Sequence, residues 1–254
     1  MRSPFISAEF PADPYPGARA GVSFVELDGL GWVLRPGAPQ GWVVEDEPAA
    51  ELDAWLARRG AAAVDERLPL LSYGSNACPG KLAWLRDVRA LRGPAVMLEA
   101  DVTDVAAVWS AGLRARDGQR PAVLAGAPGA VERHAVWLVT PDQLAVLDLV
   151  EGRGTRYRLG WVHAPTTLAN GQRFDWVLAY VARTEAIGLD VRTELNRSPL
   201  LVDGRPVRIS DVDQATALTL TGLPAESDEL EIIDVLDEPS WRDLDGLTNH
   251  SGRG

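Results

Sequence analysis

Leu68-Pro69-Leu70-Leu71-Ser72-Tyr73-Gly74-Ser75-Asn76, followed by Ala77-Cys78-Pro79-Gly80-Lys81-Leu82-Ala83-Trp84-Leu85, is the stretch on which the fold turns. The run 68–73 is short and apolar, which suits a buried strand. Pro79 stands where a first helical residue belongs, and apolar residues at helical spacing follow it. The stretch therefore predicts strand, tight polar loop, helix. Such a loop has a chemical use. Glycine lets backbone approach a ligand closely, and N–H groups at a helix start attract anionic oxygens. Ser75 and Asn76 add side-chain donors and acceptors. By spacing alone the loop also reads as an ordinary tight turn.

Working outward, strands are predicted at 94–100, 104–109, 121–125 and 134–139. Thr140 is a natural N-cap, with Pro141 behind it, for a helix through 141–151. Further strands are predicted at 157–163 and 174–182. Strands and helices mix without regular alternation, which gives an α+β class: a mixed, barrel-like β-sheet with flanking helices. Upstream, the prolines at 4, 11, 14 and 16 predict irregular coil, 22–34 and 41–45 a strand pair, and 47–59 a helix. Downstream, Ser210 is expected to cap a helix that ends at Gly222. Residues 226–245 hold nine acids against Arg242 and read as a solvated tail. The expected organisation is an N-terminal extension over 1–66, a main domain over 67–225 and an acidic tail over 226–254.

The tetrapeptide Tyr73-Gly74-Ser75-Asn76 after an apolar strand resembles the substrate-binding signature of the γ-glutamylcyclotransferase family. At average residue usage such a string arises by chance on the order of once in a thousand chains of this length. A second similarity follows in the expected order. The run Val136-Trp137-Leu138-Val139 leads to Leu147-Asp148-Leu149-Val150-Glu151-Gly152 and then to Tyr157-Arg158. Between the motifs, 121–124 and 127–129 are similar to the family's central strand and the turn behind it. The resemblance spans 68–182. The chain differs from the family pattern in the long segment before Tyr73, in Ala135 where glycine is frequent, and in Ala77 and Cys78 after the loop.

The resemblance implies a reaction that turns a γ-glutamyl group into 5-oxoproline. The substrate's own α-amine attacks its γ-carbonyl, so no catalytic serine, cysteine, metal or cofactor is required. The enzyme folds the substrate so that nitrogen meets carbonyl, and one carboxylate tuned by burial can carry both proton transfers. The resemblance assigns that role to Glu151, substrate binding to Tyr73, Gly74, Ser75 and Asn76, and the α-carboxylate to Tyr157. As bare residues, Glu151 also reads as a solvated helix-end acid and Tyr157 as a half-buried sheet aromatic. Glutamate faces the unfavourable end of a helix dipole there, which favours a purpose. Ser110 is a further candidate for the pocket lining. The alternative from another class is a non-catalytic module of the same fold that binds a small ligand or a protein. In a third reading the flanks 1–65 and 184–225 supply a lid or a separate role.

Composition bounds the rest. The 254 residues are 46% hydrophobic and 24% charged, ordinary for a globular chain. A net charge of −11 argues against nucleic acid and anionic membranes as partners; the partner that the resemblance implies is a small-molecule γ-glutamyl substrate. No apolar run reaches membrane-span length or forms a signal-peptide core, so a cytoplasmic protein is expected. Cys78 is the single cysteine, and His134, His163 and His250 lack metal-ligand spacing. Cys78 near a helix start could serve as a nucleophile, but no histidine lies near it in sequence and a packed thiol is the preferred reading. No pattern sets an oligomeric state.

Overall fold

The computed structural model describes residues 3–46, 48–183 and 197–235. Its strands and helices run β1 (Phe5–Ile6), β2 (Phe24–Leu27), β3 (Leu30–Gly37), β4 (Gly41–Val44), β5 (Ala50–Glu51), α1 (Leu52–Ala57), β6 (Leu68–Ser72) and α2 (Pro79–Arg89). They continue with β7 (Ala95–Trp109), β8 (Ala122–Val139), α3 (Pro141–Glu151), β9 (Tyr157–Leu168) and β10 (Arg173–Ala182). The last are β11 (Leu200–Val202), β12 (Arg205–Pro206), α4 (Gln214–Thr219), β13 (Leu223–Pro224) and β14 (Ile232–Asp234).

Five strands close on themselves in the order β6, β8, β7, β9, β10 and back to β6. Only the β10–β6 seam is parallel; the other barrel pairings are antiparallel. The class is α+β, a barrel with few helices beside it. Alternation along the strands sorts the core into two layers. Leu70, Trp137, Leu178 and Tyr180 pack toward Leu82 and Leu85 of α2 and Leu144 and Leu147 of α3. Leu71, Tyr73, Val136, Val177 and Ala179 face the other way, into the core that Tyr15, Trp55 and Trp109 share.

Several predicted strands are pieces of longer ones. The two at 94–100 and 104–109 are a single strand, β7, bent at Asp104, whose φ is +66°. The register against β8 shifts there, between Thr103 and Val105. Asp104 also accepts the Gly129 N–H at 2.8 Å, so the turn expected at 127–129 is a bulge within β8. Besides β8, β7 pairs with β2 through 95–97 and with β9 through 100–102.

The segments outside the barrel are joined to it. The hairpin β2–β3 turns at Asp28-Gly29, both with positive φ, and β2 pairs with β7. The predicted helix at 47–59 is confined to α1, because Ala50 and Glu51 extend the sheet instead. The helix expected from Ser210 starts later: Asp213 accepts the Thr216 N–H at 2.8 Å and is its N-cap. Within the stretch read as a solvated tail, Ile232–Asp234 forms β14 on β9, while 236–254 lies outside the described residues. Among the described residues no helix is long and apolar enough to cross a membrane.

Candidate functional site

β6 ends at Ser72, and the chain turns through Gly74 into a 3₁₀ turn, Ser75–Ala77, before α2 begins at Pro79. The N–H groups that open such a turn find no partner inside it. Gly74 is required by space: a Cβ there would meet the Tyr15 hydroxyl at 2.8 Å. The opposite wall comes from α3. Thr140 accepts the Gln143 N–H at 3.3 Å and Gln143 answers to the Thr140 N–H, a reciprocal cap that starts this helix where the sequence predicts it. It ends at Glu151 because Gly152 adopts φ +66°. Arg156 then donates to the carbonyls of Val150 and Glu151 at 2.7 and 3.1 Å, satisfying the open end of the helix.

These two walls meet. The Asn76 side-chain amide donates to Glu151 Oε1 at 3.0 Å, 75 residues along the chain. Both line a cavity of about 80 Å³ together with Tyr73, Gly74, Ser75 and Tyr157. Every residue that the sequence singled out for the site proper is thus brought to one place. Asn76 Oδ1 is buried and has no hydrogen-bond partner among the described residues. A buried acceptor left open in a cavity wall is costly unless a ligand donor fills it.

Other candidates lie elsewhere. Ser110 is fully buried and donates to the Gly112 carbonyl at 2.7 Å; it does not line the cavity. Cys78 is also fully buried, its thiol directed at the Phe10 and Pro11 carbonyls at 3.6 and 3.7 Å. His134 pairs with Glu132 at 3.0 Å, His163 packs against Trp176 with the rings tilted by 57°, and His250 lies outside the described residues.

The structure adds residues that the motifs did not announce. Tyr15 comes from the N-terminal coil and is 8% exposed. Its hydroxyl accepts the Ala122 N–H at 3.0 Å, and its backbone N–H donates to Gln119 at 3.0 Å. Arg19, from the same segment, donates to the carbonyls of Ser72 and Tyr73 at 3.2 and 2.9 Å, bracing the approach to the loop. Arg197, from beyond the barrel, donates to the Tyr157 hydroxyl at 2.6 Å. Parts of both flanks therefore build the wall of the cavity. Lys81, Arg114, Arg116 and Arg156 add cations to the lining.

Neither the known protein families, nor the curated proteins, nor the solved structures contain a match to this chain. The site is accordingly read from its own chemistry.

All four tyrosines of the protein and its single lysine line this one cavity. The one signal in the sequence for Tyr15 and Lys81 is scarcity, with four tyrosines and a single lysine in 254 residues. Burial pushes the pKa of all four tyrosines up, so their hydroxyls stay neutral. Tyr73 donates to the Tyr180 carbonyl at 2.5 Å and Tyr180 to Asp148 at 2.7 Å. The hydroxyl protons of Tyr15 and Tyr157 have no acceptor among the described residues and remain for a ligand. Lys81 is pushed down to about 8, first by burial and then by Arg116, Arg114 and Arg89, with Glu151 opposing. The cavity thus offers one carboxylate, one open amide acceptor, two neutral hydroxyl donors and a cationic rim.

Proposed function

We propose that the protein is a γ-glutamylcyclotransferase-like enzyme, releasing 5-oxoproline from a γ-glutamyl peptide or amine with Glu151 as general acid and base. The observation that carries this reading is the 3.0 Å contact between Asn76 and Glu151 inside the cavity floored by the 73–76 loop. A γ-glutamyl group carries an ammonium and a carboxylate on one carbon and an amide two methylenes away. Glu151 and the open Asn76 Oδ1 suit the ammonium. The amides of the turn and the Tyr157 hydroxyl suit the α-carboxylate, and the Tyr15 hydroxyl is placed for a further substrate oxygen.

Glu151 takes a proton from the α-ammonium, and the freed nitrogen attacks the γ-carbon. The ring C–N bond forms and the tetrahedral oxyanion collapses, breaking the bond to the leaving amine. The α-ammonium loses two protons in becoming the ring N–H, and the leaving amine gains two in departing as an ammonium. Glu151 relays them, and no external reactant is consumed. Positioning contributes much of the acceleration, because the reacting ends belong to one flexible chain.

The test is to incubate the purified protein with γ-glutamyl amino acids, γ-glutamyl amines and glutathione and to follow 5-oxoproline by mass spectrometry. The reading expects 5-oxoproline and free amine in equal amounts from at least one of them. A folded protein that binds these compounds and releases nothing would favour the non-catalytic binding module.

A further inference from the structure

The rim of the cavity is strongly cationic in a chain whose net charge is −11. Lys81 projects from the first turn of α2, and Arg114 and Arg116 from the loop 110–121; all three line the cavity. Among the described residues Lys81 pairs with no carboxylate. Its ammonium rests instead on the Trp84 ring, 3.8 Å from the centroid. Arg114 and Arg116 share a single acid, Asp117, at 2.8 and 3.2 Å. Among these three cations the one carboxylate in contact, Asp117, leaves an excess of two positive charges, beside Glu151, Arg156 and Arg197 of the same lining. Arg114 is fixed in place: it stacks on Tyr15 at 4.5 Å and donates to Gln119 at 2.9 Å. Arg116 is 63% exposed and contacts Asp117 through Nε, which leaves its terminal nitrogens at the surface.

Resting on the proposed function, the substrate's γ-glutamyl half occupies the loop and Glu151, so its leaving half must extend toward this rim. We infer that Lys81, Arg114 and Arg116 form a subsite for a dianionic leaving group, so that the substrate is a γ-glutamyl conjugate of an acidic amino acid rather than of a neutral or cationic amine. Two carboxylates on the leaving half match the two uncompensated charges. A polyamine or simple alkylamine there would bring no counter-charge and, when cationic, would be repelled. The single acid inside, Glu151, is reserved for the ammonium of the other half.

The experiment compares γ-glutamylglutamate, γ-glutamylglutamine and γ-glutamylbutylamide, measuring kcat/KM for 5-oxoproline release and, alongside, affinity by calorimetry at low salt. The inference expects γ-glutamylglutamate to exceed γ-glutamylglutamine by about tenfold in both, with the margin shrinking as sodium chloride is added. Arg116→Glu, at an exposed position that does not endanger folding, should reverse that preference, and Lys81→Met should erase it. Equal affinities for the acid and the amide, or a preference that Arg116→Glu leaves intact, would overturn the subsite. If γ-glutamylglutamate binds preferentially but none of the conjugates yields 5-oxoproline, the subsite stands and the enzymatic reading falls.

Discussion

A methyl group on Gly74 would sit 2.8 Å from the Tyr15 hydroxyl but 3.8 Å from the ring carbon that carries it. Gly74→Ala should therefore destabilise the protein by about 1–3 kcal/mol through overpacking. Removing the hydroxyl in the double variant Tyr15→Phe/Gly74→Ala should restore part of that loss. Chemical denaturation of the four proteins checks it, and strictly additive losses would show that the two groups do not compete for the same space. Asn76 is tested by turnover. Asn76→Ala removes both the donor to Glu151 and the open Oδ1, and kcat is expected to fall about 10- to 100-fold, the worth of a charged hydrogen bond, while the melting temperature barely moves. Neither Tyr15 nor Arg197 could be placed here from sequence. They lie 58 residues before Tyr73 and 40 beyond Tyr157, and no periodicity reports contacts across such distances.

Elements, by contrast, were legible where local rules decide them. The turn from β6 into α2 follows from Gly74 and Pro79, and α3 is fixed at one end by Thr140 and Pro141 and at the other by Gly152. From sequence the strands β7 and β8 look like fragments, because their interruptions, Asp104 and 127–130, carry turn chemistry that here serves a bulge. Helix α2 is held to the β2–β3 hairpin by Arg86, which donates to both oxygens of the fully buried Glu26 carboxylate at 2.8 and 2.9 Å. Arg86→Met leaves that carboxylate unpaired and should cost about 3–5 kcal/mol, read by denaturant unfolding. A loss below 1 kcal/mol would mean that water or another cation takes the place of Arg86. At the end of α3, Gly152→Ala must hold φ +66° with a side chain, a cost of about 1–2 kcal/mol, and should lower activity more than stability because Glu151 is the preceding residue.

Across the whole molecule, an acidic chain builds a basic cavity by drawing Tyr15, Lys81, Arg114, Glu151 and Arg197 from segments far apart in sequence. This arrangement predicts a pH dependence. Burial pushes Lys81 down to about 8, where it faces Glu151 from α3, Arg114 and Arg116 from their loop and Arg89 from its own helix. An anion bound beside it favours the protonated form. Affinity for γ-glutamylglutamate should hold steady below pH 8 and fall by up to about tenfold per pH unit above it, and Lys81→Met should flatten the profile. Calorimetry between pH 6 and 9.5 measures it, these limits being chosen to bracket about 8. The central claim is that Glu151 moves protons for a substrate held by the 73–76 loop. The most direct measurement is the rate of 5-oxoproline formation by Glu151→Gln against the unaltered protein on the same γ-glutamyl substrate, with binding followed in parallel. The account predicts that Glu151→Gln still binds the substrate but forms 5-oxoproline at least about a hundredfold more slowly. A rate within a few-fold of the unaltered protein would contradict it.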